Sequence, residues 1–337
     1  PRLPSPAMLI PKYWASASAP AQNRWRHTVT VRRWGWSDDS QQAAEAHAQE
    51  RLRQALAAYA QGQASAHENR PGYNGAQGLP ICEEVLARHG SAVLTRNSYG
   101  AHCINTPDVL FADVDDAQYT GYGIGCLIAL LALVTLLCAL YWLLSPACKP
   151  PRSPLPFYIS CALLLSAWIY ARWQRWRHRP AAARRASLER IRRFASARPD
   201  WSLRLYQTPA GLRLLATHRT FTPGDPAVQE LFKAVRVDPV YQRMCLLQQC
   251  FRARVTAKPW RIGINAHIRN GSRAWPIAPG RQAERDAWIA RYEQTASAWA
   301  ACAFIETLGA GQIDINVRPV LDWHDELSRA TCALPLG

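Results

Sequence analysis

The sequence lacks the short motifs that identify several common chemistries. None of its ten cysteines forms a C-x-x-C pair, and no set of cysteines and histidines has zinc-site spacing. The chain also contains no P-loop, no G-x-S-x-G and no H-E-x-x-H motif. These absences argue against a structural zinc site, a P-loop nucleotide site, and the hydrolase and protease classes that carry those motifs. Scattered single cysteines are typical of free thiols in a reducing compartment.

Lysine is scarce, and the positive charge comes almost entirely from arginine. The chain has 40 basic and 24 acidic residues, which gives a formal net charge of +16. Only four of the basic residues are lysines. An arginine-rich composition favours phosphate, nucleic acid or anionic lipid as partners. The alternative is that codon usage, together with the orientation of a membrane segment, accounts for the excess of arginine.

Charge is missing from a long central stretch. No charged residue occurs from Ala117 to Cys148, and none occurs from Pro154 to Ala171. About 20 apolar residues in a helix cross a hydrocarbon core of about 30 Å. The pattern predicts transmembrane helices at 121–145 and 154–172, joined by a proline-rich extracytoplasmic turn at 146–153. The alternative is a buried helix pair in a large soluble core, although soluble helices seldom lack charge on every face.

A basic juxtamembrane segment, at 173–198, follows the second apolar run. Nine arginines occur between Arg172 and Arg193. Because positive residues accumulate on the cytoplasmic side of membrane proteins, the C-terminal part is expected to be cytoplasmic, and two spans bring the N-terminal part to the same side. The sequence therefore predicts a two-span protein of the bacterial inner membrane with both termini in the cytoplasm. Its expected contacts with anionic lipid head groups are made by Arg172, Arg175, Arg177 and Arg179.

The parts outside the apolar stretch mix helical and strand patterns, which predicts an α+β fold. The proline-, alanine- and serine-rich residues 1–23 are expected to be disordered, which leaves 24–118 and 199–337 as the folded parts. Asp-Pro pairs at Asp225 and Asp238 predict helices that reach residues 235 and 249, since aspartate caps a helix and proline suits its first turn. The other expected elements are strands at 25–36, 92–100 and 103–115, helices at 41–61, 80–89 and 281–306, a β-hairpin at 201–218, and a strand followed by a turn at 313–326.

Two carboxylates lie at the end of the strand expected at 103–115. Asp113 and Asp115 alternate along it, so their side chains are expected on one face. Carboxylates in this arrangement favour a hard divalent cation, Mg²⁺ or Mn²⁺, which can neutralise a ligand that carries phosphate. The alternative is that these residues are only the acidic end of a strand. A second, weaker metal candidate is the C-terminal cluster of Asp322, His324, Asp325 and Glu326, which is more typical of a solvated face.

Basic residues on the expected strands form a candidate ligand-binding set. Arg204, Arg213 and His218 belong to the hairpin at 201–218, and Arg96 belongs to the strand before the aspartates. A basic set that faces a carboxylate pair suits a phosphate-bearing ligand. The alternative is that the arginines are solvated and that His218 merely ends a strand.

The segment LFADVD, which ends at Asp115, and the hairpin sequence TPAGLRLL resemble the archaeo-eukaryotic primase superfamily. The resemblance implies an RRM-like core of the nucleotidyltransferase type, with an aspartate pair, a glycine turn followed by histidine, and a further aspartate. Asp113 and Asp115 match the pair, and Asp314 or Asp322 would supply the further aspartate.

The resemblance departs from the family pattern at the turn. Arg213 stands two residues after Gly211, where the family has histidine, and His218 follows five residues later. Taken together, the patterns predict a transmembrane helical hairpin inserted between two parts of a cytoplasmic, RRM-like, mixed α/β domain. The expected function is binding of a nucleotide or nucleic acid through a divalent metal. The alternative is a non-enzymatic membrane scaffold or partner-binding protein, and the patterns leave open whether the chain is an enzyme.

Overall fold

The computed structural model describes residues 8–22, 27–62, 65–66, 79–116, 136, 162–166, 168–170, 180–268, 275–278 and 280–337. The chain falls into two compact units. The larger unit contains Pro1–Val114 and Glu189–Gly337, and the smaller unit contains Asp115–Leu188. The larger unit is therefore assembled from two parts of the chain that the smaller unit separates in sequence.

The described strands belong to a two-stranded ribbon and two four-stranded sheets. They are β1 (Tyr13–Gln22), β2 (Thr28–Ser37), β3 (Glu84–His89), β4 (Ala92–Arg96), β5 (His102–Thr106), β6 (Phe111–Asp115), β7 (Ser202–Thr208), β8 (Gly211–Ala216), β9 (Phe251–Arg254) and β10 (Ala303–Gly309). The ribbon pairs β1 with β2. The four-stranded sheets have the orders β3-β4-β5-β9 and β10-β7-β8-β6.

Six helices of ten residues or more occur in the described part of the chain. They are α1 (Gln41–Ala60), α2 (Pro180–Ala197), α3 (Pro226–Val235), α4 (Pro239–Gln248), α5 (Gln282–Ala296) and α6 (Arg318–Ser328). On α1, the residues Ala44, Ala48 and Leu52 recur at helical spacing and are buried. Ala48 and Leu52 pack with Val31 of β2, so α1 and the ribbon share a small core of their own.

Both four-stranded sheets combine strands from the two parts of the larger unit. β9 pairs antiparallel with β5, which places Arg254 opposite Cys103 and Phe251 opposite Thr106. In the other sheet, β6 lies beside β8. Each sheet is therefore complete only when residues before 115 meet residues after 188.

The predictions of a transmembrane helical hairpin and of a two-span inner-membrane protein are wrong. No helix in the described part of the chain is both long and apolar enough to cross a membrane. The longest described helices, α1 with 20 residues and α2 with 18, carry charged side chains along their length. Most residues of the two apolar runs lie outside the described ranges, as do Arg172, Arg175, Arg177 and Arg179. The contacts of these arginines with lipid head groups stay a prediction.

Several expected elements differ from the structure. Residues 13–22 form β1 within the segment expected to be disordered. The helix expected at 80–89 is wrong, because Glu84–His89 instead pairs with β4 across a tight turn at Gly90, whose φ is +58°. Of the strand and turn expected at 313–326, the strand is wrong. Residues 315–317 form a turn, and α6 follows, with Val320, Leu321 and His324 buried along one face.

Other elements are confirmed. Helices follow both Asp-Pro pairs, and α4 ends one residue before the expected position. The side chain of Asp225 accepts a hydrogen bond from the Ala227 amide at 2.9 Å, and that of Asp238 accepts one from the Val240 amide at 3.0 Å. The hairpin expected at 201–218 is formed by β7 and β8. The helix expected at 281–306 begins as predicted but ends at Ala296, and β10 follows.

Candidate functional site

A row of side chains crosses one face of the β10-β7-β8-β6 sheet. The strand register places Phe304 opposite Tyr206, and Tyr206 opposite Arg213. Arg213 in turn contacts Asp113 on β6. Helix α6 covers this row, and the ring centroid of its His324 lies 4.9 Å from that of Tyr206. Four strands and one helix therefore contribute to a single buried polar cluster.

The centre of the cluster is a two-pronged ion pair. Arg213 donates from Nε to Asp113 Oδ1 at 2.7 Å and from Nη2 to Asp113 Oδ2 at 3.0 Å. Its Nη1 donates to the carbonyl oxygen of Arg254 at 2.7 Å. Burial alone would lower the pKa of Arg213, but the charge of Asp113 and the hydrogen bonds to it raise that pKa above its ordinary value. The guanidinium therefore stays charged although its side chain is only 2% exposed.

A thiol, an imidazole and a carboxylate lie in sequence beside Arg213. Cys302 Sγ lies 3.9 Å from His324 Nε2, and His324 Nδ1 lies 2.9 Å from Asp325 Oδ1. Arg213 Nη1 lies 3.4 Å from the same His324 Nε2. A nucleophile next to a base, with the base oriented by a third group, is the arrangement that activates cysteine in enzymes. Here Cys302 and His324 are both fully buried, so a large substrate does not reach them in this conformation.

The electrostatics of these three residues favour charge separation. Burial would raise the pKa of Cys302, but the charge of His324, a hydrogen bond to it and the charge of Arg213 lower that pKa. Burial would lower the pKa of His324, but Cys302 and the hydrogen bond to Asp325 raise it. Burial would raise the pKa of Asp325, but the hydrogen bond to His324 and its charge lower it. The shifts therefore favour a thiolate, an imidazolium and a carboxylate.

Arg204 holds the outer end of the cluster. Its Nη2 donates to Asp325 Oδ2 at 2.7 Å, and its Nε donates to the Tyr206 hydroxyl at 2.9 Å. The guanidinium also lies 4.2 Å from the centroid of the Phe304 ring. Burial, followed by the charge of Asp325, raises the pKa of Tyr206, so this hydroxyl stays protonated. Both oxygens of Asp325 are thus engaged, which fixes the carboxylate that orients His324.

The structure brings Asp113, Arg204 and Arg213 together, and it places the other predicted site residues elsewhere. Arg96 donates to Glu84 at 3.2 Å and to Glu293 at 2.6 Å in a separate ion network. His218 Nδ1 accepts from the Ser202 amide at 3.2 Å, in an aromatic group with Trp201 and Phe221. Burial lowers the pKa of His218, which favours the neutral ring.

The aspartate pair proposed to bind a cation is only partly available. Both oxygens of Asp113 accept from Arg213, so a cation there would face a guanidinium at contact distance. Asp115 is exposed at the end of β6. Within the described ranges, no group of three or more histidine, cysteine, aspartate or glutamate residues has the geometry of a metal site. Binding of Mg²⁺ or Mn²⁺ therefore stays a prediction, and Arg213 competes with it.

Sequence reasoning missed the pairing of Cys302 with His324. The sequence analysis noted His324 and Asp325 within the cluster Asp322–Glu326, but it assigned the cluster to a solvated surface. On α6, the helical period instead turns His324 inward and leaves Asp322 and Glu326 exposed. Nothing local links Cys302 to His324, because β10 brings them together only by pairing with β7.

The chain matches no protein-family model, no curated protein and no solved structure. The resemblance to the archaeo-eukaryotic primase superfamily therefore stays a prediction.

Proposed function

We propose that this chain is a non-catalytic binding protein whose ligand is nucleic acid, held through its phosphates by surface arginines. The proposal keeps the nucleic-acid part of the sequence-based hypothesis. It omits the cation, because Arg213 already neutralises Asp113. It also draws on the net charge of +16, since a strongly basic protein attracts polyanions over a wide range of distances.

The observation that carries the proposal is the approach of two arginines across α2 and α3. Burial lowers the pKa of Arg190 on α2, and the charge of Arg236, which directly follows α3, lowers it further. An ion pair between Arg198, which directly follows α2, and Glu230 of α3 connects the same two segments. The charges of Arg190 and Arg236 therefore act on each other, and a bound phosphate would relieve this repulsion.

Two more cations extend this patch. Arg193 lies one helical turn after Arg190, and Lys233 lies one turn before Arg236. Both side chains are exposed. We refer to Arg190, Arg193, Lys233 and Arg236 as the α2–α3 basic surface. Its charges lie on two adjacent helices, which suits a ligand with regularly spaced phosphates.

The buried ion pairs do not account for the net positive charge of the chain. The described buried pairs match one arginine to one carboxylate or share a carboxylate between two arginines, as Glu84 does with Arg96 and Arg285. Such pairs do not reduce the net charge of the chain. The α2–α3 basic surface is one place where positive charge is exposed, at Arg193, Lys233 and Arg236.

The test is the salt dependence of binding. We expect the full chain to bind duplex DNA and single-stranded RNA oligonucleotides, with an affinity that falls steeply between about 50 and about 200 mM salt. The triple variant Arg193→Gln/Lys233→Gln/Arg236→Gln removes three exposed cations. Its slope of log affinity against log salt should be smaller by about 2 to 3 on duplex DNA. Fluorescence anisotropy measures both the affinity and the slope.

A matched control removes the same charge elsewhere. The variant Arg53→Gln/Arg281→Gln/Arg291→Gln alters three exposed arginines outside the α2–α3 basic surface. We expect it to keep nearly the full slope, and we expect EDTA to leave the affinity unchanged. Equal losses in the two triple variants would show that binding is only a property of net charge. If binding of nucleic acid required Mg²⁺, the hypothesis of a cation bound at Asp113 would be favoured instead.

A further inference from the structure

Cys302 differs from the other buried cysteines in its neighbours. Cys245, Cys250 and Cys302 are all fully buried. Burial raises the pKa of the Cys245 thiol, and it raises the pKa of Cys250 to about 12. Of these three cysteines, Cys302 has an imidazole nitrogen 3.9 Å away with a guanidinium next to it. The same degree of burial therefore gives inert thiols at two positions and an activated one at the third.

We propose that Cys302 is a reactive thiolate, held by His324 and Arg213, that is oxidised by hydrogen peroxide. The geometry supplies each part that the reaction needs. His324 Nε2 faces the sulfur, and Asp325 fixes the ring from the other side at 2.9 Å. Cys302 and His324 are fully buried, which disfavours a peptide or other large electrophile, so the proposed reagent is a small, neutral oxidant.

The reaction balances with the groups present and one molecule of peroxide. The thiolate sulfur of Cys302 attacks one peroxide oxygen, so that an S–O bond forms while the O–O bond breaks. The sulfur loses two electrons to the peroxide. The leaving hydroxide takes the proton from His324 Nε2 and departs as water. The products are a sulfenic acid at Cys302 and a neutral imidazole at His324.

The charged groups around the thiol come from four elements. His324 and Asp325 belong to α6, Arg213 to β8, and Asp113 reaches the cluster through Arg213 from β6. On β7, the Tyr206 ring lies beside His324, and Arg204 holds Asp325. His324 Nε2 lies 3.9 Å from the Cys302 sulfur, and the charge of Arg213 also favours the thiolate, although it opposes protonation of His324.

The experiment compares cysteines within one protein. The full-length chain is treated with hydrogen peroxide at neutral pH, sulfenic acid is captured with dimedone, and each cysteine is quantified by mass spectrometry. We expect Cys302 to be modified at least about tenfold faster than Cys245 and Cys250, since one pKa unit changes the thiolate fraction about tenfold. In urea, this advantage should disappear. Modification of Cys302 at the rate of Cys245 and Cys250 in the folded chain would overturn the proposal.

Two variants separate reactivity from exposure. His324→Gln should slow modification of Cys302 by about tenfold or more, and leave the exposed Cys332 unchanged. Asp325→Asn should slow it less, because the imidazole remains. If Cys302 were modified faster in folded His324→Gln than in the native chain, His324 would only shield the thiol by packing. That result would contradict the proposal. If His324→Gln does not fold, the comparison within the native chain still decides.

Discussion

Four arginines buried in the larger unit hold its two parts together. Their side chains are 2–3% exposed. Removing one partner of a pair buried at both ends, as in Glu83–Arg252, costs about 3–5 kcal/mol, because a charge is left without compensation. The carboxylates of the other three pairs are 21–49% exposed, so screening by solvent makes their loss cost less. Each of the four pairs joins a residue before 115 to one after 188. They are Glu83–Arg252, Glu84–Arg285, Arg96–Glu293 and Asp113–Arg213.

His102 makes the stability depend on pH. Burial, followed by the charge of Arg96, lowers the pKa of His102 to about 4, while Glu293 and Glu84 oppose the shift. The unfolded chain has a histidine pKa of about 6.5, so between these values the unfolded state binds a proton that the folded state does not. The free energy of unfolding should therefore fall by roughly 3 kcal/mol as the pH drops from about 6.5 to about 4.

Urea unfolding at several pH values measures this effect. His102→Gln removes the titrating group and should flatten the dependence between about pH 6.5 and about pH 4. His218 contributes with the same sign in both proteins, because its pKa is also lowered by burial. The difference between the two proteins thus isolates His102. If the free energy of unfolding changed with pH in the same way for the native chain and the variant, groups other than His102 would cause the pH dependence.

At the scale of elements, helices with local capping signals could be predicted from the sequence, whereas the pairing of strands could not. The Asp225 and Asp238 caps act within a few residues, so the sequence alone places α3 and α4. The segment around Glu84 has helix-forming residues, yet it becomes a strand because β4 supplies hydrogen-bonding partners. The contact of Cys302 with His324 follows from the pairing of β10 with β7, which no local pattern encodes. Sequence reasoning therefore reached Asp113, Arg204 and Arg213 of the candidate site, but not the thiol–imidazole contact.

The contact between α1 and the ribbon depends on one glycine. A Cβ atom added at Gly35 would lie 2.2 Å from the Ala48 amide nitrogen and 2.4 Å from the Ala44 carbonyl oxygen. These are backbone atoms of α1 and cannot rotate away. We expect Gly35→Ala to lower the free energy of unfolding by about 1–3 kcal/mol, since overpacking forces the helix from the strand.

Gly224→Ala is the matched control for this substitution. A Cβ atom at Gly224 meets nothing within 4 Å, and no positive φ is recorded there. Its effect should lie within about 0.5 kcal/mol of the native chain. Denaturant unfolding of both variants makes the comparison. Equal stabilities of Gly35→Ala and Gly224→Ala would show that α1 shifts to accept the methyl group without cost.

At the scale of the whole molecule, the larger unit folds from pieces that are far apart in the chain. Neither piece contains a complete four-stranded sheet, because β9 completes one and β6 completes the other. We expect fragments 8–116 and 189–337 to lack cooperative unfolding when expressed separately, and to regain it when expressed together. Circular dichroism during thermal unfolding measures this. Cooperative unfolding of either fragment alone would mean that the buried ion pairs are not needed for folding.

The pairing of β5 with β9 also delays completion of this sheet during synthesis on the ribosome. Thr106 pairs with Phe251, which is synthesised much later. At a translation rate of about 5–20 residues per second, the segment between these residues takes roughly 7–30 s to synthesise. During that interval the outer edge of β5 has no strand beside it, and such edges recruit other chains. The nascent protein is therefore most exposed to association with other chains while its middle third is being translated.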